Sequence, residues 1–272
     1  MPQELIIELV NVELTDKCIR CLKLGKASGP DGLCSENLLN AHPKLVTLLC
    51  ALFRSMLLHK YVPIEFGQGI IIPLIKDKTG DSSSLNNYRA ITLIPVISKL
   101  FEHIILNVGE EYLNSDDRQF GFKKHLDCGN AIFAMRSTMD YFSDRGSTVF
   151  TAALDVSKAY DRVQHFKLFS ALLRAGMPKN IVCLLADWYS KLFVAVRWNN
   201  SYSNLFKVGS GVRQGSSLSP ALFNVFINKI IIDLKILELG CYINRTWIGC
   251  ILYADDIILL SASLTSLQVM LN

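Results

Sequence analysis

The chain has 272 residues, 28 basic against 24 acidic for a formal net charge of +4, with 50% hydrophobic and only 19% charged residues. That balance excludes an intrinsically disordered chain, and the length leaves room for two lobes with buried cores. A mean hydropathy of +0.29 raises a membrane reading, but the longest apolar stretch, 45–58, contains Arg54 and falls short of the roughly 20 residues a spanning helix needs. The start, Met-Pro-Gln-Glu, has no basic segment before an apolar run, so no secretory signal is expected and the chain is placed inside the cell, in cytoplasm or nucleus. The eight cysteines then read as reduced thiols with no disulfide partner. Cys18-Ile-Arg-Cys21 has the spacing of half a zinc site, but no second ligand pair follows, so two thiols on a short helix is the preferred reading. The small positive charge is compatible with a nucleic-acid partner.

In chain order, Thr15 or Asp16 is expected to cap a helix reaching 24. Residues 25–32 must be a loop, since Gly29-Pro30 and Asp31-Gly32 break regular structure. Pro43 starts a helix to His59, and 70–75 is an apolar, β-branched strand. The polar stretch 76–87 is a loop, Pro95 starts a helix ending near 113, and another helical pattern covers 130–142. The turn at 144–147 is the expected lobe boundary, giving residues 1–146 and 147–272. Beyond it, 148–154 reads as a buried strand, followed by helices over 164–174 and 179–190. Residues 193–198 and 204–208 form a hairpin around Asn199-Asn200, and Ser219-Pro220 opens a helix to 237. Apolar strands at 247–253 and 257–260 follow. Helices and antiparallel strands mix without regular alternation, which is an α+β pattern.

The informative motif is Tyr253-Ala-Asp-Asp256, two adjacent acids between two apolar runs. They fall at a hairpin turn, where their repulsion needs compensation. A hard divalent cation supplies it; a solvated Asp-Asp turn is the alternative. A second strand ends in an acid, Phe150-Thr-Ala-Ala-Leu-Asp155. One acid from a strand end and two from a hairpin tip, on one sheet, suit two-metal phosphoryl transfer. Between them, Gly209-Ser-Gly-Val-Arg-Gln-Gly-Ser-Ser-Leu-Ser-Pro220 permits close backbone approach and leads into a helix.

The ordered set of Asp155, Arg213-Gln214-Gly215 and Tyr253-Ala-Asp-Asp256 resembles the palm of a reverse transcriptase, more narrowly the non-LTR retrotransposon type. Upstream, Lys26-Ala-Ser-Gly-Pro-Asp-Gly32 is similar to the N-terminal motif of that group. Ile70-Ile-Ile-Pro-Leu-Ile-Lys76, Asn87-Tyr-Arg-Ala-Ile-Thr-Leu93 and Lys99-Leu-Phe-Glu102 resemble its first fingers block, and Gln119-Phe-Gly-Phe122 its second. The match runs from about residue 15 to 272.

The resemblance implies a fingers region and a palm, 147–272, made of an antiparallel sheet packed on helices. It implies RNA-directed DNA polymerisation with RNA template, DNA primer and dNTP as partners, and two Mg2+ ions as cofactor, with Mn2+ as the alternative. Asp155, Asp255 and Asp256 match the catalytic metal-binding acids, and the Val156 carbonyl a further metal ligand. Tyr160 matches the aromatic beneath the incoming sugar, Gln214 and Gly215 the nucleotide pocket, and Lys76 and Arg89 the cations that grip the triphosphate. Asp161 is read as capping or pairing in the next helix, outside the acid triad, and the five histidines form no ligand-spaced cluster. Ala90 stands where the family has proline. After Leu260 the expectation is a palm helix cut short, with no thumb, which leaves a catalytically inactive, nucleic-acid- or protein-binding remnant as the alternative function. A viral RNA-dependent RNA polymerase is disfavoured by Tyr160 and by Ala254 before the aspartates.

Overall fold

The computed structural model describes residues 7–272. The first elements are α1 (Val12–Arg20), α2 (Ser35–Leu39), α3 (Lys44–His59), β1 (Gln68–Ile75), β2 (Tyr88–Leu93), α4 (Val96–Val108) and α5 (Cys128–Ser143). Next come β3 (Phe150–Asp155), α6 (His165–Arg174), α7 (Lys179–Ser190), β4 (Phe193–Trp198), β5 (Ser201–Tyr202), β6 (Phe206–Lys207) and α8 (Ser219–Ile236). The last are β7 (Tyr242–Ile243), β8 (Thr246–Trp247), β9 (Cys250–Tyr253), β10 (Asp256–Ser261) and α9 (Leu264–Leu271). The chain divides into two compact units. One holds the described residues up to Tyr112 with Tyr160–Ser219; the other holds Leu113–Ala159 with Pro220–Asn272.

In the first unit, β1 pairs with β2 antiparallel and with β4 in parallel, and β5 and β6 extend from β4. The core gathers on α4, where Leu100, Phe101, Ile104 and Ile105 are fully buried. Phe101 stacks on Phe53 of α3 at 5.0 Å and lies 5.5 Å from Trp188 of α7. Each such side chain contributes about 1.5–3 kcal/mol by leaving water. Helix α1 begins earlier than expected. Its cap is Asn11, whose Oδ1 accepts the Leu14 N–H at 2.8 Å. Thr15 is inside the helix, donating to the Asn11 carbonyl, and Asp16 is spent on the i,i+4 pair with Arg20. Strand β2 had no counterpart among the expected elements. Cys18 is buried and burial pushes its thiol up to about 11. All eight cysteines are free.

In the second unit, three antiparallel strands run in the order β3-β10-β9. Ala131 of α5, Cys241, Ile251 and Leu260 form its buried cluster, with Met135, Phe142 and Ile258 packed against it. Helix α9 covers β10 and β3. Strand β3 is an edge strand, exposed over much of its length, with Leu154 39% exposed. A run of apolar residues therefore does not make it central here. The expected strand 247–253 is two elements. Trp247 pairs with Tyr242 in a separate hairpin, and its indole N–H donates to the Leu239 carbonyl.

The units do not follow a single cut at 146/147. Helix α5 packs on β9, so it belongs with the strands that follow the turn. Residues 160–219 instead complete the sheet and core of the first unit. Among the described residues no helix is long and apolar enough to cross a membrane.

Candidate active site

The acids lie at one end of the three-stranded sheet. Tyr253 pairs with Asp256 across the β9–β10 turn, so Ala254 and Asp255 form a two-residue loop. Asp256 also stands directly opposite Asp155 in the β3–β10 register. Directly opposed residues of an antiparallel pair project to the same face with their Cβ atoms about 5 Å apart. By alternation this is the face of Ile258 and Leu260, which are packed into the core. The apolar end of that face anchors the strands, and its acidic end reaches solvent, with Asp155 and Asp256 both exposed and Asp255 half-buried.

Partial desolvation, and then the charges of Asp255 and Asp155, push the Asp256 carboxyl pKa upward. Asp256 thus feels the charge of both neighbouring acids. Among the described residues no Lys, Arg or His forms an ion pair with any of them. As the side chains stand, no three His, Cys, Asp or Glu among the described residues converge tightly enough to hold an ion. The backbone therefore sets Asp155 against Asp256, while Asp255 projects from the turn. The Val156 carbonyl accepts the Ala159 N–H at 3.1 Å, which leaves it one lone pair. The donor set is hard oxygen throughout and its repulsion is uncompensated by the protein, so its chemistry, though not the spacing of the side chains as they stand, suits a hard divalent cation.

The other five candidates lie in the first unit. Lys76 follows β1, its N–H donating to the Asn87 carbonyl at 2.8 Å, while Arg89 of β2 stands opposite Leu74. That register puts Lys76 and Arg89 diagonally on one face of the hairpin, both exposed. Lys76 Nζ donates to the Asn86 carbonyl at 3.1 Å, and no carboxylate among the described residues pairs with either cation.

The glycine-rich loop is fastened to the end of β2. The Thr92 N–H donates to the Gln214 carbonyl at 2.6 Å. Gly215 has φ +118°, and a Cβ there would meet the Thr92 carbonyl oxygen at 2.5 Å. Both conformation and space demand glycine. The loop's other end meets the turn carrying Tyr160, whose carbonyl accepts the Val212 N–H at 2.9 Å. His165 Nε2 lies 2.9 Å from the Gly211 carbonyl. Asp161 sits in a 310 turn and does not cap α6, whose N-cap is Gln164.

Beneath the loop is a buried ion pair that the sequence reading passed over. Glu102 of α4, 1% exposed, accepts from Arg213 Nη2 at 3.1 Å, Ser216 Oγ at 2.7 Å and the Ser217 N–H at 2.7 Å. Arg213 also donates to the Phe66 carbonyl and lies over the Trp188 ring. Its signal was an acid set among Leu100, Phe101, Ile104 and Ile105, where only a paired carboxylate is tolerated. A cavity of about 270 Å3 in this unit is lined by Gly215, Ser217, Lys26, Lys99 and His103, among others, but by none of Lys76, Arg89, Tyr160 or Gln214.

Comparison with known proteins bears on the whole chain. Residues 75–272 match the family of reverse transcriptases, RNA-dependent DNA polymerases. The chain is 24% identical over 270 residues to the Pol polyprotein of type-2 retrotransposable element R2DM of Drosophila melanogaster, covering 98% of this chain and 25% of that protein. It is 28% identical over 233 residues to the probable RNA-directed DNA polymerase from transposon BS of the same species, covering 83% of this chain and 25% of that one. It is 25% identical over 265 residues to the RNA-directed DNA polymerase from mobile element jockey, covering 94% and 28%. The chain thus spans about a quarter of the length of these relatives. A family match over well over half its residues, with the acid motifs inside it, makes this chain a member of the reverse transcriptase family, of the non-LTR retrotransposon kind.

Proposed function

We propose that this chain performs RNA-directed DNA synthesis, with an RNA template, a DNA primer and dNTPs as its ligands. The observation that carries the reading is the register of β3 against β10, which sets Asp155 opposite Asp256 at the tip of a hairpin whose turn holds Asp255. In the reaction the primer 3′ oxygen attacks the α-phosphorus, a new P–O bond forms, and pyrophosphate leaves. Asp155, Asp255, Asp256 and the Val156 carbonyl would hold two Mg2+ ions, or Mn2+ in their place. When bound, the ions lower the pKa of the attacking hydroxyl and offset charge on the leaving phosphates.

The chain's own groups do the rest. Lys76 and Arg89, sharing one face of the β1–β2 hairpin, grip the triphosphate; the planar guanidinium meets phosphate oxygens bidentately. Gln214 and Gly215 line the nucleotide pocket. The Tyr160 ring lies beneath the sugar and disfavours a ribose 2′-hydroxyl. In the family's terms the β1–β2 hairpin reads as fingers and the three-stranded sheet as palm.

Primer extension on an RNA template tests this. Asp255→Asn should lower dNTP incorporation by at least about 100-fold, the scale for deleting one charge-stabilising group from a site. Incorporation within threefold of the native chain would overturn the assignment.

A further inference from the structure

We propose that Gln119 is a positioning residue for the paired aspartates, gripping the Ala254 backbone on both sides and so fixing the turn from which Asp255 and Asp256 project. The inference rests on reading those acids as a divalent-cation site.

The turn needs holding. Ala254 has φ +56°. A two-residue hairpin loop with positive φ at its first position favours glycine there, and an alanine held in that region costs of order 1 kcal/mol or more unless its surroundings over-determine it. The surroundings here are the Gln119 side chain. Its Nε2 donates to the Ala254 carbonyl at 3.1 Å, and its Oε1 accepts the Ala254 N–H at 3.0 Å. The same Oε1 accepts the Gly121 N–H at 2.8 Å. Only one orientation of the carboxamide satisfies all three bonds, so the grip is specific to a side chain carrying both donor and acceptor. Gln119 is completely buried.

The clamp is itself anchored. The Phe120 N–H donates to the Leu252 carbonyl and the Leu252 N–H to the Arg118 carbonyl, each at 2.8 Å, so residues 118–120 run as a short parallel partner of β9. Upstream, Asp116 accepts the Arg118 N–H at 3.0 Å, and the Arg118 guanidinium donates to the Trp247 carbonyl. Downstream, Asn224 Nδ2 donates to the Gly121 carbonyl at 2.9 Å. A Cβ at Gly121 would lie 2.3 Å from the Ala254 nitrogen. The segment thus presses on the turn closely enough that only glycine fits at the contact. Losing the carboxamide frees the Ala254 peptides to rotate, and Asp255, the next residue, moves with them. The residue touches neither substrate nor cation; it acts through Ala254.

The test is Mn2+ binding by the purified 272-residue chain, followed by electron paramagnetic resonance, with amide exchange at Ala254 measured in the metal-free chain. Gln119→Leu should speed exchange at Ala254 and weaken Mn2+ binding by about 10- to 100-fold, the range for partners that orient metal ligands. Adding Ala254→Gly should recover part of the loss, because glycine takes positive φ without strain. That recovery is not expected if Leu merely disturbs packing. Should Gln119→Leu fail to fold, Gln119→Asn keeps a carboxamide but lacks the reach, and the same losses are expected. A folded Gln119 variant that binds Mn2+ within twofold of the native chain overturns the inference and leaves the cation reading standing. A native chain that binds no Mn2+, with Asp255→Asn indistinguishable from it, overturns the cation reading and the inference with it.

Discussion

Glu102 of the first unit and the aspartates at the β3–β10 end of the second are held in opposite ways. In the first, Glu102 is almost wholly buried and both its oxygens are bonded, by a guanidinium, a hydroxyl and a backbone amide. In the second, Asp155 and Asp256 are set against each other at a sheet edge with no cation among the described residues to balance them. The difference is between a charge the fold requires and charges the fold merely tolerates. A buried pair fixes the glycine-rich loop in one place. The exposed acids keep their oxygens available, at the expense of mutual repulsion. Asp116, also in the second unit, falls with the Glu102 kind: burial opposes its ionisation, but hydrogen bonds from Lys235 and Arg118 outweigh it and hold its carboxyl below the usual range.

Breaking the buried pair should have the largest effect on the fold. Glu102→Ala leaves the Arg213 guanidinium buried without its carboxylate, which costs about 3–5 kcal/mol. Urea denaturation followed by fluorescence measures it. A double variant, Glu102→Ala with Arg213→Met, should be less damaging than Glu102→Ala alone, because no charge is stranded. A loss under about 1 kcal/mol for the single variant would mean that water reaches the guanidinium, contrary to its burial.

The loop that this pair supports gives the next effect. Gly215→Ala should cost about 1–3 kcal/mol, since it combines positive φ with a backbone clash at Thr92. Because the strain falls on the candidate nucleotide pocket, the KM for dNTP in primer extension should rise along with the loss of stability. An alanine variant as stable as the native chain would show that the 213–217 loop is not held against β2 as described.

These contrasts also mark what was readable in sequence. The aspartate hairpin was legible because two acids between two apolar runs admit few placements, and the strand ending at Asp155 for the same reason. That Asp155 faces Asp256 rather than its neighbour is a matter of register, which no local pattern encodes. Helices α3, α6 and α7 matched their expected spans within a residue, since their apolar periodicity was continuous. Helix α1 begins earlier than expected because Thr15 and Asp16 are also good cap residues, and nothing in the mixed stretch Val12-Glu-Leu14 marks Asn11 as the true cap. In sequence Gln119 and Glu102 are distinguishable only as members of their motifs. Their partners lie 135 and 111 residues further on, and a buried polar residue acquires its meaning only when the chain folds back. Strand β2 was missed because Tyr88-Arg-Ala-Ile alternates weakly and its first half is exposed.

The exposed acids permit a prediction of opposite sign to the first, and of smaller size. In metal-free buffer at neutral pH, Asp256→Asn should stabilise the chain by a few tenths to about 1 kcal/mol, the range for cross-strand charge pairs. The sign follows from the raised Asp256 carboxyl. A carboxyl whose folded pKa lies above its unfolded value makes the folded state less stable where it is ionised, and that handicap fades as the pH falls and the acid is protonated. The gain from Asn should therefore be present at pH 7 and shrink on acidification through the carboxylate range. Millimolar Mn2+ should reverse the order. The native chain gains stability by RT ln(1 + [L]/Kd) when the ion binds only the folded state, and the variant that has lost a ligand gains less. Thermal melts of both chains, with EDTA and with Mn2+, read the four values directly. If Asp256→Asn destabilises in EDTA, the carboxylate has a structural partner and belongs with Glu102. If Mn2+ raises both melting points equally, the ion binds elsewhere. Only the crossing of the two pairs shows that the repulsion left in the fold is there to be relieved by a cation.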